Sequence, residues 1–129
     1  MIGILIVSHG AFGESLIHSA SHVLGKRPLR VRQIGVTVHD DPDALVPVAQ
    51  DLVRSLDDGS GVLVLTDIKG ATPANIATRL LVPGRVEGVA GVSLPMLIRA
   101  LTYREQALPA VVDKAMSGGR EGVTRLERS

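Results

Sequence analysis

Apolar positions along the chain recur in two alternating rhythms. Ile2 to Val7 is an unbroken apolar run of strand length. Glu14 to Leu24 then switches to helical spacing, with Leu16, Ile17, Ala20, Val23 and Leu24 on one face and Gly25 placed as a C-terminal cap. Val31 to Val38 alternates and is rich in β-branched residues, which predicts a second strand. Asp41-Pro42-Asp43 opens a second helix, with a capping aspartate, proline in the first turn and acids near the positive dipole end. Pro47 sits awkwardly inside that helix and predicts a later start or a kink.

A third strand follows from Val62 to Thr66, after the loop Asp57-Asp58-Gly59-Ser60-Gly61. Thr72-Pro73 is expected to start the third helix as cap and first helical residue, and Pro83-Gly84 to end it. Val86 to Val92 reads as a weaker, glycine-interrupted fourth strand. Pro95 to Leu101 and Leu108 to Met116 read as further helices, Gly118-Gly119 as a turn, and Val123 to Leu126 as a short final strand. Strands alternating with helices predict right-handed crossovers, an open and mainly parallel α/β sheet, and helices on both of its faces. The strand order expected is 2-1-3-4, in one domain over residues 1–129.

In such sheets ligands bind beyond the carboxyl ends of the strands, at the switch point, here between the first and third strands. The residues there carry chemistry. The first strand ends in Ser8-His9-Gly10, and the third in Thr66-Asp67, followed by Ile68-Lys69-Gly70-Ala71-Thr72-Pro73. Neighbouring strands lie about 4.8 Å apart, so His9 and Asp67 can meet. A carboxylate bonded to Nδ1–H would leave Nε2 as a lone-pair nucleophile and stabilise positive charge on the ring. The Gly70-Ala71-Thr72 turn offers backbone N–H groups and a hydroxyl for an anion, although a capping role for Thr72 competes for that hydroxyl. Gly10 permits close approach of a backbone or phosphate. Together these residues point to a phosphorylated histidine; the competing reading of His9 is an ordinary polar loop residue.

Composition narrows the field further. The chain has no cysteine and no tryptophan, and its aromatic content is Phe12 and Tyr103. That excludes disulfides, thiolate catalysis and Cys-ligated zinc, and it argues against flavin or base stacking. A net charge of +1 gives no field for nucleic acid. No apolar stretch is long enough for a membrane span, and the N-terminus reads as a strand, not a signal peptide. The expectation is a cytoplasmic protein that needs no cofactor and no metal. His18 and His22, four apart on the first helix, point away from its apolar face and read as solvated. His39 follows the second strand on the same rim as His9. Lys26, Arg27, Arg30 and Arg32 form a basic cluster that reads either as a solvated turn or as a surface for an acidic partner. A Ser8-His9-Asp67 hydrolase is disfavoured, because adjacent strand residues point to opposite faces.

At these residues the chain resembles the mannose-family IIA component of the bacterial phosphoenolpyruvate-dependent sugar phosphotransferase system, a family that includes fructose and sorbose members. The resemblance is carried by Ile4-Leu5-Ile6-Val7-Ser8-His9-Gly10, by Val62 to Asp67 with Gly70-Ala71-Thr72-Pro73-Ala74-Asn75, by Val89 to Leu97, and by Gly119-Arg120-Glu121-Gly122-Val123. It implies that His9 accepts a phosphoryl group on Nε2 from the phosphocarrier protein and passes it to a IIB component, with Asp67 holding the ring. It places Thr72 where many relatives have serine, beside the phosphoryl group. Lys69 and Ser93 depart from the usual pattern and are possible rim residues. The resemblance also implies a homodimer in which an antiparallel C-terminal strand crosses to the partner's sheet. Phe12, three residues after His9, is expected at the rim of the site. The rival readings are a receiver-like signalling domain phosphorylated on Asp67, which lacks the acids expected after the first strand, and a flavodoxin-like cofactor binder, which lacks its hydroxyl-rich loop and aromatics.

Overall fold

A computed structural model describes residues 1–128. The chain runs β1 (Gly3–His9), α1 (Phe12–Leu24), β2 (Val31–Val36), α2 (Pro42–Leu56), β3 (Val62–Thr66), α3 (Thr72–Leu80), β4 (Val86–Ala90), α4 (Leu94–Thr102) and α5 (Leu108–Glu121). The four strands form one parallel sheet in the order β2-β1-β3-β4, as the alternation predicted.

The sheet is buried on both faces, which is why β1 and β3 read as continuous apolar runs. On one face Ile2, Ile4, Ile6, Leu63, Leu65 and Val89 pack against α1, α4 and α5. On the other, Leu5, Val7, Val62, Val64 and Val86 pack against α2 and α3 through residues such as Val53, Ile76 and Leu80. Both layers are almost wholly aliphatic, so the scarcity of aromatics costs the core nothing.

Four expectations are corrected. Val123–Leu126 is not a strand: residues 123–128 are irregular, and Val123 and Leu126 are exposed. A strand needs a neighbouring edge, and within the described residues this segment reaches none; the antiparallel strand is therefore absent from the sheet. Gly118-Gly119 is not a turn, because α5 continues to Glu121. A Cβ at Gly118 would lie 2.8 Å from the Arg99 Cβ and 3.1 Å from the Pro95 carbonyl, so the glycine serves close packing of α5 on α4. Thr72 does not cap α3: Ala71 is the extended capping residue and no side chain caps this helix. Proline is tolerated anywhere in the first turn, where its missing N–H has no intrahelical partner, so the helix can begin one residue before Pro73. Pro47 neither delays nor ends α2, which starts at Pro42 with the Asp41 carboxylate accepting the Asp43 N–H at 3.0 Å. Pro47 is the sixth residue, on the solvent side, where a lost backbone bond is compensated by water.

At the amino end of the sheet, buried Arg104 ties three segments together. Its guanidinium donates to the carbonyls of Ile2 (3.0 and 2.7 Å), Leu29 (2.6 Å) and Arg30 (3.0 Å). At the opposite end the N–H groups of Gly91 and Val92 both donate to the Thr66 carbonyl at 2.9 Å, fixing the loop after β4 beside the end of β3.

Candidate functional site

The carboxyl ends of β1 and β3 bring His9 and Asp67 together. Val7 pairs with Thr66, so the next residues of both strands emerge side by side. One Asp67 oxygen, Oδ2, accepts from the His9 backbone N–H at 2.9 Å and lies 2.7 Å from the His9 Nδ1. The other, Oδ1, accepts the Ile68 N–H at 3.0 Å. An ionised carboxylate only accepts, so the short ring contact requires Nδ1–H as donor. Nε2 is then left with its lone pair. The His9 side chain is 54% exposed and that of Asp67 only 14%, so the nucleophilic edge faces solvent while its anchor is sheltered. Burial alone would raise the Asp67 pKa. The His9 backbone N–H, the ring bond and the charge of the ring outweigh it and hold the carboxyl below the usual aspartate range.

Backbone geometry sets the turn that follows His9. Gly10 has φ +52° and donates its N–H to the Val36 carbonyl at 2.9 Å, tying the turn to β2. Its own carbonyl lies against Gly35, where a Cβ would come within 2.1 Å. The turn therefore seats on β2 only because both positions are glycine. Ser8 is fully buried on the α1 side, with its Oγ 3.0 Å from where a Gly13 Cβ would stand. That hydroxyl has no hydrogen-bond partner among the described residues, and Ser8 does not join His9 and Asp67 in a triad.

The remaining rim residues divide. Gly70, at φ +88°, Ala71 and Thr72 form the turn into α3 at the same end of the sheet, with Gly70 and Thr72 exposed. Since no side chain caps α3 and no acid lies in its first turn, the free N–H groups there suit an anion. Phe12 begins α1 and is 42% exposed, outside the core. Lys69 turns toward the β4 side, where it lines a hollow of about 190 Å³ with Thr66, Thr78, Leu81 and Ala90. The Ser93 hydroxyl caps α4 by accepting the Met96 N–H at 3.3 Å. His39 lies in an exposed turn whose hydrogen bonds are local, its N–H reaching the Thr37 Oγ1 at 3.3 Å. Two rim residues escaped sequence reasoning: Val38 and Ile68 are exposed apolar side chains in the loops after β2 and β3. The alternation placed Val38 at the end of the second strand, and Ile68 was read as part of the loop after Asp67, so neither was given a role at the rim. Among the described residues there is no cluster of three or more His, Cys, Asp or Glu, and no helix is long and apolar enough to cross a membrane.

The same arrangement disfavours a phosphorylated Asp67. Its carboxylate is sheltered and already accepts three hydrogen bonds, whereas the exposed lone pair belongs to the imidazole.

Known proteins resemble this chain over most of its length. Residues 3–116 match the family model described as PTS system fructose IIA component. The chain belongs to this mannose-type IIA family. It is 33% identical over 129 residues to the PTS system mannose-specific EIIAB component of Escherichia coli K12, covering 98% of this chain. The match spans only 40% of the length of that relative. The PTS system fructose-specific EIIA component of Bacillus subtilis is 30% identical over 121 residues, covering 91% of this chain and 82% of that one. The crystal structure of the EIIA component from Streptococcus agalactiae superposes with a TM-score of 0.85 at 28% identity, over 97% of both chains.

Proposed function

We propose that this IIA chain is a phosphoryl carrier. It accepts a phosphoryl group on Nε2 of His9 from the phosphocarrier protein and passes it to a IIB component, or holds it as a regulatory signal of phosphorylation state. The observation that carries the reading is the 2.7 Å contact between His9 Nδ1 and Asp67 Oδ2, with the opposite ring edge open to solvent.

The step is an in-line displacement. The Nε2 lone pair attacks phosphorus as the P–N bond to the donor histidine breaks, and the electron pair of that bond returns to the donor ring. The His9 ring gains positive character as Nε2 commits its pair. Asp67 stabilises that charge and keeps the proton on Nδ1. Gly10 and the Gly70-Ala71-Thr72 turn supply an uncrowded rim with N–H groups and a hydroxyl for the phosphoryl oxygens. Phe12, Val38 and Ile68 supply apolar surface around His9 on which the phosphocarrier would seat. Transfer works by positioning two rings and excluding water between them. In this reading the protein acts in the cytoplasm, without a bound cofactor.

A homodimer is part of the proposal. Val123 and Leu126 are exposed apolar residues in an irregular segment. Among the described residues, the outer edge of β4 carries an isolated bridge from Val86 to Val82 and no further strand. A second copy whose C-terminal segment paired with that edge would satisfy both, since unpaired edges recruit strands.

The test is direct. The chain is incubated with phosphoenolpyruvate, the general phosphotransferase enzyme and the phosphocarrier, and its mass is followed. The expected product gains one phosphoryl group that is acid-labile and base-stable, and His9→Ala gains none. Retained labelling in His9→Ala refutes the assignment.

A further inference from the structure

The geometry points to a second interaction surface at the amino end of the sheet: a groove that takes a partner segment bearing carboxylates around an apolar side chain. The groove holds about 430 Å³, within the range of sites that accept a ligand or an anchoring side chain. Leu24, Leu29 and Leu101 line it together with Lys26, Arg27 and Arg104. Leu29 is 74% exposed and Leu24 42%, so the groove presents apolar side chains to solvent. Leu29 is held outward by the backbone. Arg30, the next residue, is a non-glycine at φ +54°, and the carbonyls of both residues are pinned by Arg104.

Charge selects the occupant. Among the described residues, two of the basic groups lining the groove have acidic partners: Arg27 faces Glu14 at 3.1 Å, and the Met1 ammonium faces Asp58 at 3.1 Å and Glu105 at 3.8 Å. Arg104 is spent on backbone carbonyls and Arg30 on the carbonyls of Ser55 and Leu56. Lys26 makes no ion pair among the described residues. Asp58 and Glu105 lie near, but both face the amino group of Met1. The buried guanidinium has no carboxylate hydrogen-bonded to it; Glu105 and Asp58 offset its charge from a distance, and with Lys26 unpaired the balance beneath the apolar mouth stays positive. An acidic segment with a leucine-sized anchor complements both features. The concave shape favours an inserted side chain over a flat lipid surface. β1 separates this groove from His9 by about 20 Å, so an occupant leaves the imidazole accessible.

The probe is a blocked hexapeptide of alternating glutamate and leucine, titrated into the isotopically labelled protein and followed by amide chemical shifts. Shifts confined to residues 24–30 and 101–104 are expected, with binding weakened at least about tenfold between about 0.05 and 0.5 M salt. Lys26→Glu and Leu29→Ala, both at exposed positions, are each expected to weaken binding by about fivefold or more. Phosphorylation of His9 should be unchanged in both, which separates this surface from the carrier chemistry. Absence of shifts at the groove overturns the proposal, as does equal binding of a lysine–leucine peptide. Binding to equimolar phosphatidylglycerol–phosphatidylcholine vesicles without any response to the acidic peptide overturns it in favour of a lipid surface.

Discussion

Replacing Asp67 by asparagine isolates the charge from the shape of the site. Asparagine keeps the size of the side chain, and its carbonyl oxygen can still accept from the His9 or Ile68 backbone. What disappears is the negative charge 2.7 Å from Nδ1. Full unit charges at that distance would interact by about 1.5 kcal/mol at the dielectric of water and about 6 kcal/mol at an effective value of 20. The ring is half exposed and its transition-state charge is partial, so both figures must be discounted for screening. A loss of roughly 2–4 kcal/mol is expected, equivalent to about 30- to 1,000-fold in transfer rate. Asp67→Ala also frees the ring to rotate and to change tautomer, which extends the expected loss to roughly two to four orders of magnitude.

The assay is single-turnover transfer from phosphorylated phosphocarrier, measured by rapid quench, with thermal melts to confirm folding. A merely structural Asp67 would lower the melting temperature without changing the ring's tautomer. Nitrogen chemical shifts of the His9 imidazole therefore provide the second readout. They should report Nδ1–H in the parent and a mixed population in Asp67→Asn. A folded Asp67→Asn protein that transfers within twofold of the parent would refute the electrostatic role.

Gly35→Ala should destabilise the protein by about 1–3 kcal/mol and shift the His9–Gly10 turn, since its Cβ would meet the Gly10 carbonyl at 2.1 Å; a melting curve and amide shifts around His9 check both. Arg104→Met should lower stability by about 2–4 kcal/mol, because the Ile2, Leu29 and Arg30 carbonyls lose a charged donor; an unchanged denaturation midpoint would contradict this. The Asp67 carboxyl titrates below its unfolded value, so the stability it contributes is fully present above about pH 3.9 and is lost as pH falls through the lower folded value. Denaturant midpoints of the parent and Asp67→Asn should therefore differ at neutral pH and converge in strong acid.

Legibility in the sequence followed burial. β3 was read with its correct bounds because both faces are covered, so every position from Val62 to Thr66 is under the same constraint. β2 was read two residues too long, because Thr37 and Val38 keep the alternation while the sheet ends at Val36. The His9–Asp67 pair was legible because strand order and register suffice to bring two strand ends together. Arg104 left no signal: in Thr-Tyr-Arg-Glu-Gln it resembles any polar turn, and its carbonyl partners lie 74 and 102 residues away. The C-terminal strand is not formed within one copy for a different reason. Val123 and Leu126 carry strand-like residue types, but pairing is a property of an available edge, which a local pattern cannot reveal.

The decisive economy of the site lies in one oxygen. Asp67 Oδ2 binds both the backbone N–H of His9 and its ring, so main chain and side chain of the same residue are fixed by a single acceptor. A ring held only through Nδ1 would keep freedom to swing about its Cα–Cβ bond. Adding the backbone contact makes the imidazole an extension of β1, whose position is set by hydrogen bonds to β2 and β3 on either side. The Gly10–Val36 bond then secures the chain immediately after His9. The proposed nucleophile thus inherits the rigidity of the sheet while more than half of its side chain remains in solvent. In the proposed carrier role such an arrangement suits a histidine that meets two different protein partners in the same orientation, because none of the ordering has to be supplied by either partner.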